Sequence, residues 1–516
     1  MPHHASPAGG LISDTLDHSF CHSGRLFWGT LLACTGWYAA GITLCSGQSF
    51  PREEWTYTYD NGGDERPVRM VQLAGGELLL GGNSWFEEGD ESCSNIWLVK
   101  ADTLGQLIWE RELGVAGCDE LRGLAPTPDG GVVFAGVSNT LTHPDEASSP
   151  AYRADLLIGK VDARGTLRWI RHYGGIYTDQ AYGIAAGRYD DLVVVGSTHS
   201  PHPGDGGSGD IWILRTDESG NVYHQQHIGG AQPDWASAVV TGANGDAILS
   251  GVSWSPAPDV VPDAYGNALI ARTTRAGHLL WQRVYALPGG SMFSDICEGP
   301  DGRLVVAGAV RTSGDMDACW LRLTADGRKI QQSVSGIPGA DAFTCVRSAA
   351  EDGYLLGGYT TTGAARHPCL LRLDSRGNTL WTGSFLGGGA RTCHDVLYYR
   401  PGVWFLLADV PHMADPRRRG DFALIRLHEL PADSIQAGIF VHTEANRISR
   451  ETPTRFKAQY KYGERFSWDF GDGTTSAEEQ PLKTYTFPGV YQVSLTVYAS
   501  ESCYQTVTLS RNLQVW

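Results

Sequence analysis

The stretch Gly209-Asp210-Ile211-Trp212-Ile213-Leu214-Arg215-Thr216-Asp217-Glu218-Ser219-Gly220 is the clearest copy of a unit that recurs along most of the chain. An acidic residue opens a short apolar strand, a basic residue closes it, and a tight turn from Asp to Gly follows. The basic residue recurs every 50 to 60 residues in seven copies, at Lys100, Lys160, Arg215, Arg272, Arg322, Arg372 and Arg426. A repeat of strands and turns at this period predicts an array of small β-sheets.

Each repeat carries four strand signals. In the third repeat these are Asp179 to Ile184, Asp191 to Gly196, Asp210 to Arg215 and Asn221 to Ile228. The second strands are apolar on both faces, as expected of strands sandwiched between neighbouring sheets. Four strands make one blade, and seven repeats predict a seven-bladed β-propeller over residues 51–430.

The seventh repeat ends without a fourth strand of its own. Fourth strands elsewhere place two large residues four positions apart, such as Trp169 and Tyr173. Trp55 and Tyr59 supply the same pattern at the other end of the array. We therefore expect the segment from Trp55 to Tyr59 to complete blade seven and remove the exposed edges of a linear array.

Composition limits the fold class and the partners. The chain has 516 residues, 42% of them hydrophobic, with 65 Gly and a formal net charge of −17. Many glycines and little helical periodicity predict an all-β protein. The negative charge opposes binding to the phosphate backbone, so no nucleic-acid partner is expected.

The first 48 residues have the pattern of an export signal. Arg25 precedes an apolar run from Leu26 to Leu44 that ends in Cys45-Ser46-Gly47-Gln48. This pattern predicts a signal peptide or leader. Two alternatives stay open: lipidation at Cys34, which follows Leu31-Leu32-Ala33, and an uncleaved membrane anchor, which would be the only membrane attachment. A secreted or cell-surface location is expected in each case.

Two family resemblances follow from these residues. The repeats, in which D-x-W-x-x-K/R-x-D-x-x-G alternates with G-x-x-x-W, resemble the seven-bladed propeller arrays of secreted bacterial proteins. The segment from Phe466-Ser467-Trp468-Asp469-Phe470-Gly471-Asp472-Gly473 to Val497 resembles the PKD domain, with Lys483 at a position where such domains commonly carry His. That resemblance implies an immunoglobulin-like β-sandwich over residues 436–516 that acts as an extracellular spacer or contact module.

Known catalytic and cofactor patterns are not matched. Asp162 to Trp169 and Asp374 to Trp381 resemble the tryptophan docking repeat of PQQ dehydrogenases, but their spacing is shorter, which favours packing between blades. The sequence carries no G-x-S-x-G or H-E-x-x-H motif. We expect no catalytic residues, no metal site and no cofactor. Regularly repeated acids such as Asp179 and Asp234 are interpreted as caps for backbone donors at each blade entrance.

The connections between second and third strands are long, so variable material collects on one face of the propeller, here called the loop face. Aromatic residues in or beside these connections are the predicted ligand-binding residues. They are Trp85, Phe86, Tyr152, Tyr177, Trp235, Trp254 and Tyr265. Cys93 and Cys118 flank one repeat and are the predicted disulfide pair.

Two functions remain open from the sequence. The first is an exported or cell-surface protein without enzymatic activity, whose propeller binds an extracellular glycan or protein and whose PKD domain acts as a spacer. The second is an exported carbohydrate-active enzyme or a PQQ-type quinoprotein dehydrogenase that uses the propeller channel. The lack of a catalytic signature favours the first.

Overall fold

The computed structural model describes residues 51–88, 91–114, 117–139, 154–187, 191–201, 209–257, 260, 265–287, 289–312, 315–335, 340–349, 353–362, 365–384, 390–412, 420–429, 436–441, 447–461, 465–498 and 506–516. The predicted leader lies outside these residues. All regular elements in the described part of the chain are β-strands. None of these residues belongs to a helix long and apolar enough to cross a membrane.

Within these residues the chain forms seven four-stranded antiparallel sheets, which are the blades. Blade 1 consists of β2 (Asp64–Gln72), β3 (Leu78–Glu88), β4 (Glu91–Ala101) and β5 (Leu107–Leu113). Blade 2 consists of β6 (Asp119–Pro126), β7 (Val132–Ser138), β8 (Asp155–Val161) and β9 (Leu167–Tyr173). Blade 3 consists of β10 (Asp179–Ala186), β11 (Asp191–Thr198), β12 (Asp210–Asp217) and β13 (Val222–Ile228). Blade 4 consists of β14 (Asp234–Thr241), β15 (Ala247–Ser253), β16 (Asn267–Thr273) and β17 (Leu279–Tyr285). Blade 5 consists of β18 (Ser291–Glu298), β19 (Leu304–Thr312), β20 (Asp315–Leu323) and β21 (Lys329–Ser335). Blade 6 consists of β22 (Ala342–Ser348), β23 (Tyr354–Thr362), β24 (Ala365–Leu373) and β25 (Thr379–Ser384).

Blade 7 combines the two ends of the array. Its strands are β26 (Thr392–Arg400), β27 (Val403–Val410), β28 (Asp421–Glu429) and β1 (Pro51–Tyr59). Strand β1 pairs antiparallel with β28, from Pro51 opposite Glu429 to Tyr59 opposite Phe422. The predicted seven-bladed propeller with an N-terminal closing strand is confirmed.

The first strands of the blades form the wall of a central channel. Each first strand contacts the first strands of both neighbouring blades, and β26 contacts β2 to complete the circle. The second strands are buried along their length, as in β11, where all eight residues from Asp191 to Thr198 are buried. The apolar core therefore lies between adjacent blades, as the two-sided hydrophobic pattern predicted.

In several blades an aromatic residue of the fourth strand contacts the next blade, whereas Gln331 takes this place in blade 5 and donates to the carbonyl oxygen of Gly377 at 3.0 Å. The hydroxyl group of Tyr285 donates a hydrogen bond to the carbonyl oxygen of Gly327 at 2.5 Å, and Tyr173 makes the same contact with Gly220. Tyr59 of β1 donates to the carbonyl oxygen of Gly105 at 2.7 Å. Gly105 has a φ of 83°, and a Cβ atom there would stand 2.9 Å from the Trp55 ring. Blade 7 thus meets blade 1 through the same contacts that join other blades.

The repeated basic residue is a second link between blades. Arg215 of blade 3 is fully buried and donates to the carbonyl oxygens of Gly245 and Thr274 in blade 4, at 3.3 and 3.0 Å. Arg272 of blade 4 pairs with Glu298 of blade 5 at 3.2 Å. Arg215 and Arg272 thus link successive blades, whereas Lys100 pairs at 3.2 Å with Glu77 of its own blade. In each of these copies a polar partner compensates the charge inside an apolar strand.

The repeated acids at blade entrances cap backbone donors. A carboxylate oxygen of Asp179 accepts hydrogen bonds from the Gly175 N–H at 2.7 Å and the Ser200 hydroxyl at 2.8 Å. Asp234 does the same for Gly230 and Ser255, at 2.9 and 2.8 Å. These contacts confirm the structural interpretation of the two acids.

The C-terminal segment forms two sheets. One contains β29 (Gln436–Val441), β31 (Thr454–Lys461) and β34 (Leu482–Lys483); the other contains β30 (Arg447–Ile448), β32 (Arg465–Asp469), β33 (Thr475–Ser476), β35 (Gly489–Tyr498) and β36 (Thr506–Val515). Trp468 is fully buried between them and packs with Phe456, Val493 and Leu495. Its indole N–H donates to the carbonyl oxygen of Glu478 at 2.9 Å. The predicted packing of Trp468 in a β-sandwich core is confirmed.

Candidate functional site: the loop-face mouth of the channel

A β-bulge interrupts the first strand of every blade. In β10 the register with β11 shifts between Ala181 and Gly183, so Tyr182 is the additional residue. The same shift leaves six further residues out of register, namely Val68, Arg122, Ser237, Ser294, Thr344 and His394. Bulges redirect side chains, and here they supply one residue per blade at the same level of the channel wall.

These bulge residues surround a cavity of about 490 Å³, which we call the mouth cavity. Six of the seven line it. Another part of its wall is formed by Asn83 and Trp85 of β3, Arg66 of β2 and Glu120 of β6. These residues lie in the first halves of first strands or toward the end of β3, which places the cavity at the loop face. The mouth cavity combines charged and aromatic side chains from several blades.

Cations lie over aromatic rings at the mouth. The Arg66 guanidinium stands 4.7 Å from the centre of the Trp85 ring, and the Arg122 guanidinium stands 5.9 Å from the centre of Tyr182. Arg122 also pairs with Glu120. Burial raises the pKa of Tyr182, whose hydroxyl group donates to the Gln180 side chain at 2.6 Å. Tyr182 is therefore a neutral phenol held in a fixed orientation.

A second cavity of about 370 Å³ adjoins the mouth cavity, since Arg66 and His394 line both. Its wall includes Arg366 and Arg391. His394 contacts an oxygen of Asp409 through Nε2 at 3.1 Å. Burial alone would raise the pKa of Asp409, but the hydrogen bond and the charge of His394 outweigh it and lower that pKa. Asp409 is therefore ionised at neutral pH.

Below the mouth, four charged residues cross the channel; we call them the channel network. Arg69 of blade 1 lies 3.0 Å from Asp295 of blade 5, and Arg347 of blade 6 lies 2.5 Å from Asp295 and 2.6 Å from Asp395 of blade 7. Asp395 is fully buried and also accepts hydrogen bonds from the backbone N–H groups of Met70 and Val396, both at 2.9 Å. Positive and negative charges balance within the network.

The channel network separates the mouth from a cavity of about 350 Å³ that all seven first strands line. Arg69 borders both cavities. Beyond the network the wall is mostly small and apolar, with Ala125, Ala185 and Val240 among its residues. Polar recognition groups are therefore concentrated on the loop-face side of the channel.

The aromatic residues predicted from the sequence do not form a single cluster. Trp85 lies at the mouth, whereas Trp235 and Trp254 form a ring pair with centres 4.4 Å apart and Tyr265 lies beneath Arg311 at 4.0 Å. Tyr177 is 54% exposed beside Ser200, Phe86 is half-buried, and Tyr152 is outside the described residues. Trp85 is the predicted residue that lines the mouth cavity.

The connection after the second strand of blade 1 is not the long loop that the sequence predicted. Strands β3 and β4 continue their pairing outward, with Trp85 opposite Ser94, Phe86 opposite Cys93 and a last pair at Glu88 and Glu91. The extended ladder satisfies backbone groups that a loop would leave to solvent. Trp85 and Phe86 are therefore strand residues. Cys93 forms a disulfide with Cys118, with their Cα atoms 5.0 Å apart.

Sequence reasoning missed the mouth residues Arg66, Arg122, Tyr182 and His394, and it missed the channel network. A signal for the network is present. At the position after the bulge, the other four blades carry Gly123, Gly183, Ala238 and Cys345, whereas blades 1, 5 and 7 carry Arg69, Asp295 and Asp395. Charged residues at a position where other copies are small indicate a departure from the structural repeat.

Comparison with known families supports the C-terminal assignment. The family model of the PKD domain matches residues 439–514. This segment is a PKD domain. The PKD1 domain of Vibrio anguillarum Epp is 30% identical in sequence to the matched segment. The match covers 16% of this chain and 94% of that domain, with a TM-score of 0.13. In the PKD domain, Lys483 lies 2.6 Å from Asp472 and so secures the turn after β32.

Two other proteins show more distant similarity to this chain. The WD40 domain of Neurospora crassa Pan2 is 9% identical and covers 75% of this chain and 97% of its own, with a TM-score of 0.46. The regulatory protein FlaEY of Caulobacter vibrioides is 28% identical over an alignment of 172 residues, and the match covers 31% of this chain. The chain spans 18% of the length of FlaEY.

Proposed function

We propose that this protein is exported, acts at the cell surface or outside the cell without catalysing a reaction, and binds an acidic glycan at the mouth cavity. The observation that carries the proposal is the grouping of arginines and aromatic rings at one end of the channel. Arg66, Arg122, Arg366 and Arg391 line the two adjoining cavities in a chain with a formal net charge of −17. The PKD domain, a module typical of extracellular proteins, would space or attach the propeller.

The chemistry of these groups suits an anionic sugar. A guanidinium binds a carboxylate or sulfate through two parallel hydrogen bonds. Trp85 and Tyr182 offer flat rings next to Arg66 and Arg122, and such rings pack against the apolar face of a sugar. A volume of about 490 Å³ falls in the range of small-molecule sites, so one or two sugar units would fit. An acidic protein segment is the alternative ligand.

A glycan array that carries uronate-containing, sulfated and neutral oligosaccharides tests the proposal on the full chain. We expect acidic glycans to bind, and Arg122→Ala to weaken the best one at least tenfold, because a charge-assisted hydrogen bond contributes about 1.5–3 kcal/mol. Arg328→Ala is the matched control, since Arg328 also pairs with an acid two residues earlier, Asp326, and lies 74% exposed near the turn between β20 and β21.

Three results would count against the proposal. Equal binding of neutral glycans would remove the role of the arginines. Equal weakening by Arg328→Ala would show a nonspecific charge effect. Release of shortened oligosaccharides during the assay would favour the carbohydrate-active enzyme over a binding protein.

A further inference from the structure

Three potential metal ligands converge where the ring closes. Asp60 follows β1 and Asp421 begins β28, and these two residues are neighbours because Tyr59 pairs with Phe422. His412 follows β27, two residues after Val410, which pairs with Asp421. The three side chains therefore come from the N-terminal closing strand and from the two strands of blade 7 nearest to it.

The distances between the ligand atoms suit one cation. His412 Nδ1 lies 3.1 Å from each carboxylate oxygen of Asp421 and 3.8 Å from Oδ2 of Asp60. One ligand atom from each residue lies within 4.8 Å of the others. Bonds of about 2.0 to 2.2 Å to Zn²⁺ place neighbouring ligands about 3 to 3.5 Å apart. Small rotations of the exposed Asp60 side chain would bring its carboxylate oxygen to this distance from the other two ligand atoms.

The surroundings provide both support and access. The side chains of His412 and Asp421 are 11% and 6% exposed, whereas that of Asp60 is 42% exposed. Two ligands are thus held within the fold and the third faces solvent, which leaves an entry path and room for water as a further ligand. The other oxygen of Asp60, Oδ1, accepts a hydrogen bond from the Gly62 N–H at 2.7 Å, which orients this carboxylate.

We propose that Asp60, His412 and Asp421 bind a divalent transition-metal ion of the Zn²⁺ class, and that this ion fastens the closing strand to blade 7. One imidazole nitrogen with two carboxylates suits Zn²⁺ and its first-row neighbours, whereas Ca²⁺ prefers oxygen ligands alone. A ligand that binds the folded state stabilises it. Metal binding here therefore strengthens the contact that joins the two ends of the propeller, and it does not depend on the proposed glycan site.

Calorimetric titration of the chelator-treated full chain with Zn²⁺, Mn²⁺ and Ca²⁺ tests this proposal, together with thermal melts with and without each ion. We expect one high-affinity Zn²⁺ equivalent, much weaker Ca²⁺ binding and a higher Tm with Zn²⁺. His412→Ala removes the high-affinity equivalent. Asp60→Asn weakens it at least tenfold while retaining the oxygen that accepts from Gly62. His278→Ala, at an exposed histidine of blade 4, leaves it unchanged.

The variants keep the proposal testable. If His412→Ala fails to fold, Asp60→Asn decides, because the Asp60 side chain is 42% exposed and its replacement by Asn keeps the same shape. No Zn²⁺ binding by the native chain would mean that the three residues form an ion pair only, and the proposal is wrong. Unchanged affinity in Asp60→Asn, or Ca²⁺ binding as tight as Zn²⁺ binding, would also overturn it.

Discussion

Replacing Asp295 by Asn should strongly destabilise the propeller. The side chain of Asp295 is 5% exposed and pairs with Arg69 at 3.0 Å and Arg347 at 2.5 Å. Its neutral replacement leaves the channel network with one uncompensated positive charge. Breaking a buried ion pair from one side costs about 3–5 kcal/mol. We expect a loss of that size in the free energy of unfolding, measured by urea titration of the full chain with tryptophan fluorescence.

A double-mutant cycle separates charge balance from packing. Arg69→Met added to Asp295→Asn leaves Arg347 and Asp395, 2.6 Å apart, as a neutral pair. The loss in the free energy of unfolding of the double variant should therefore be smaller, by at least about 1 kcal/mol, than the sum of the losses in the two single variants. Strict additivity would show that the network does not act as a unit and that charge balance does not stabilise it.

The pH dependence gives an independent check. Burial alone would raise the pKa of Asp295, but the charges of Arg347 and Arg69 outweigh it and lower that pKa. A carboxyl whose pKa is lower in the folded state contributes stability that is complete above its unfolded pKa of about 3.9 and is lost as the pH falls through the folded value. The difference between the native chain and Asp295→Asn should stay constant above about pH 5 and shrink in acid. A difference that persists undiminished at pH 3 would contradict this.

Three further results are expected. Tyr59→Phe should lower the free energy of unfolding by about 1–2 kcal/mol, as much as Tyr285→Phe, because both hydroxyl groups donate to a turn carbonyl of the next blade. A negligible effect of Tyr59→Phe alone would argue against closure by β1. Burial raises the pKa of the Cys319 thiol to about 12. Iodoacetamide should therefore label this thiol at pH 8 only after unfolding. Rapid labelling of Cys319 in the native chain would contradict its buried position. A fragment of residues 436–516 should unfold cooperatively in a thermal melt, because Trp468, Phe456 and their neighbours form a core of their own; a fragment without a transition would refute its independence.

Much of the fold could be predicted because its repeat leaves a signal in the sequence. Contacts between blades favour similar residues in successive copies, so Arg215 has a Lys or Arg counterpart in every repeat and Tyr173 recurs as Tyr285 and Tyr59. The closing strand was predictable for the same reason, since Trp55 and Tyr59 carry the fourth-strand pattern on the opposite end of the array.

The candidate site was largely hidden because it depends on what differs between copies. A bulge leaves no mark in the sequence period, so Arg122, Tyr182 and His394 could not be placed on one ring in advance. Contacts across the channel, such as Arg69 with Asp295, join residues far apart in sequence. A charged residue where other copies are small marks a departure from the repeat, but it does not show which residue is its partner. Long connections predict loops, but β3 and β4 continue pairing through Trp85, which only the structure reveals.

The proposed function depends on binding of the ligand at the mouth cavity. Hydrogen–deuterium exchange of the full chain, with and without a saturating glycan selected on the array, tests it directly because it does not presuppose a site. We expect slower exchange in peptides that cover the bulges around Arg122, Tyr182 and His394 and the outer part of β3 at Trp85. Slower exchange confined to the PKD domain or to the outermost strands of the blades, with these peptides unchanged, would contradict it.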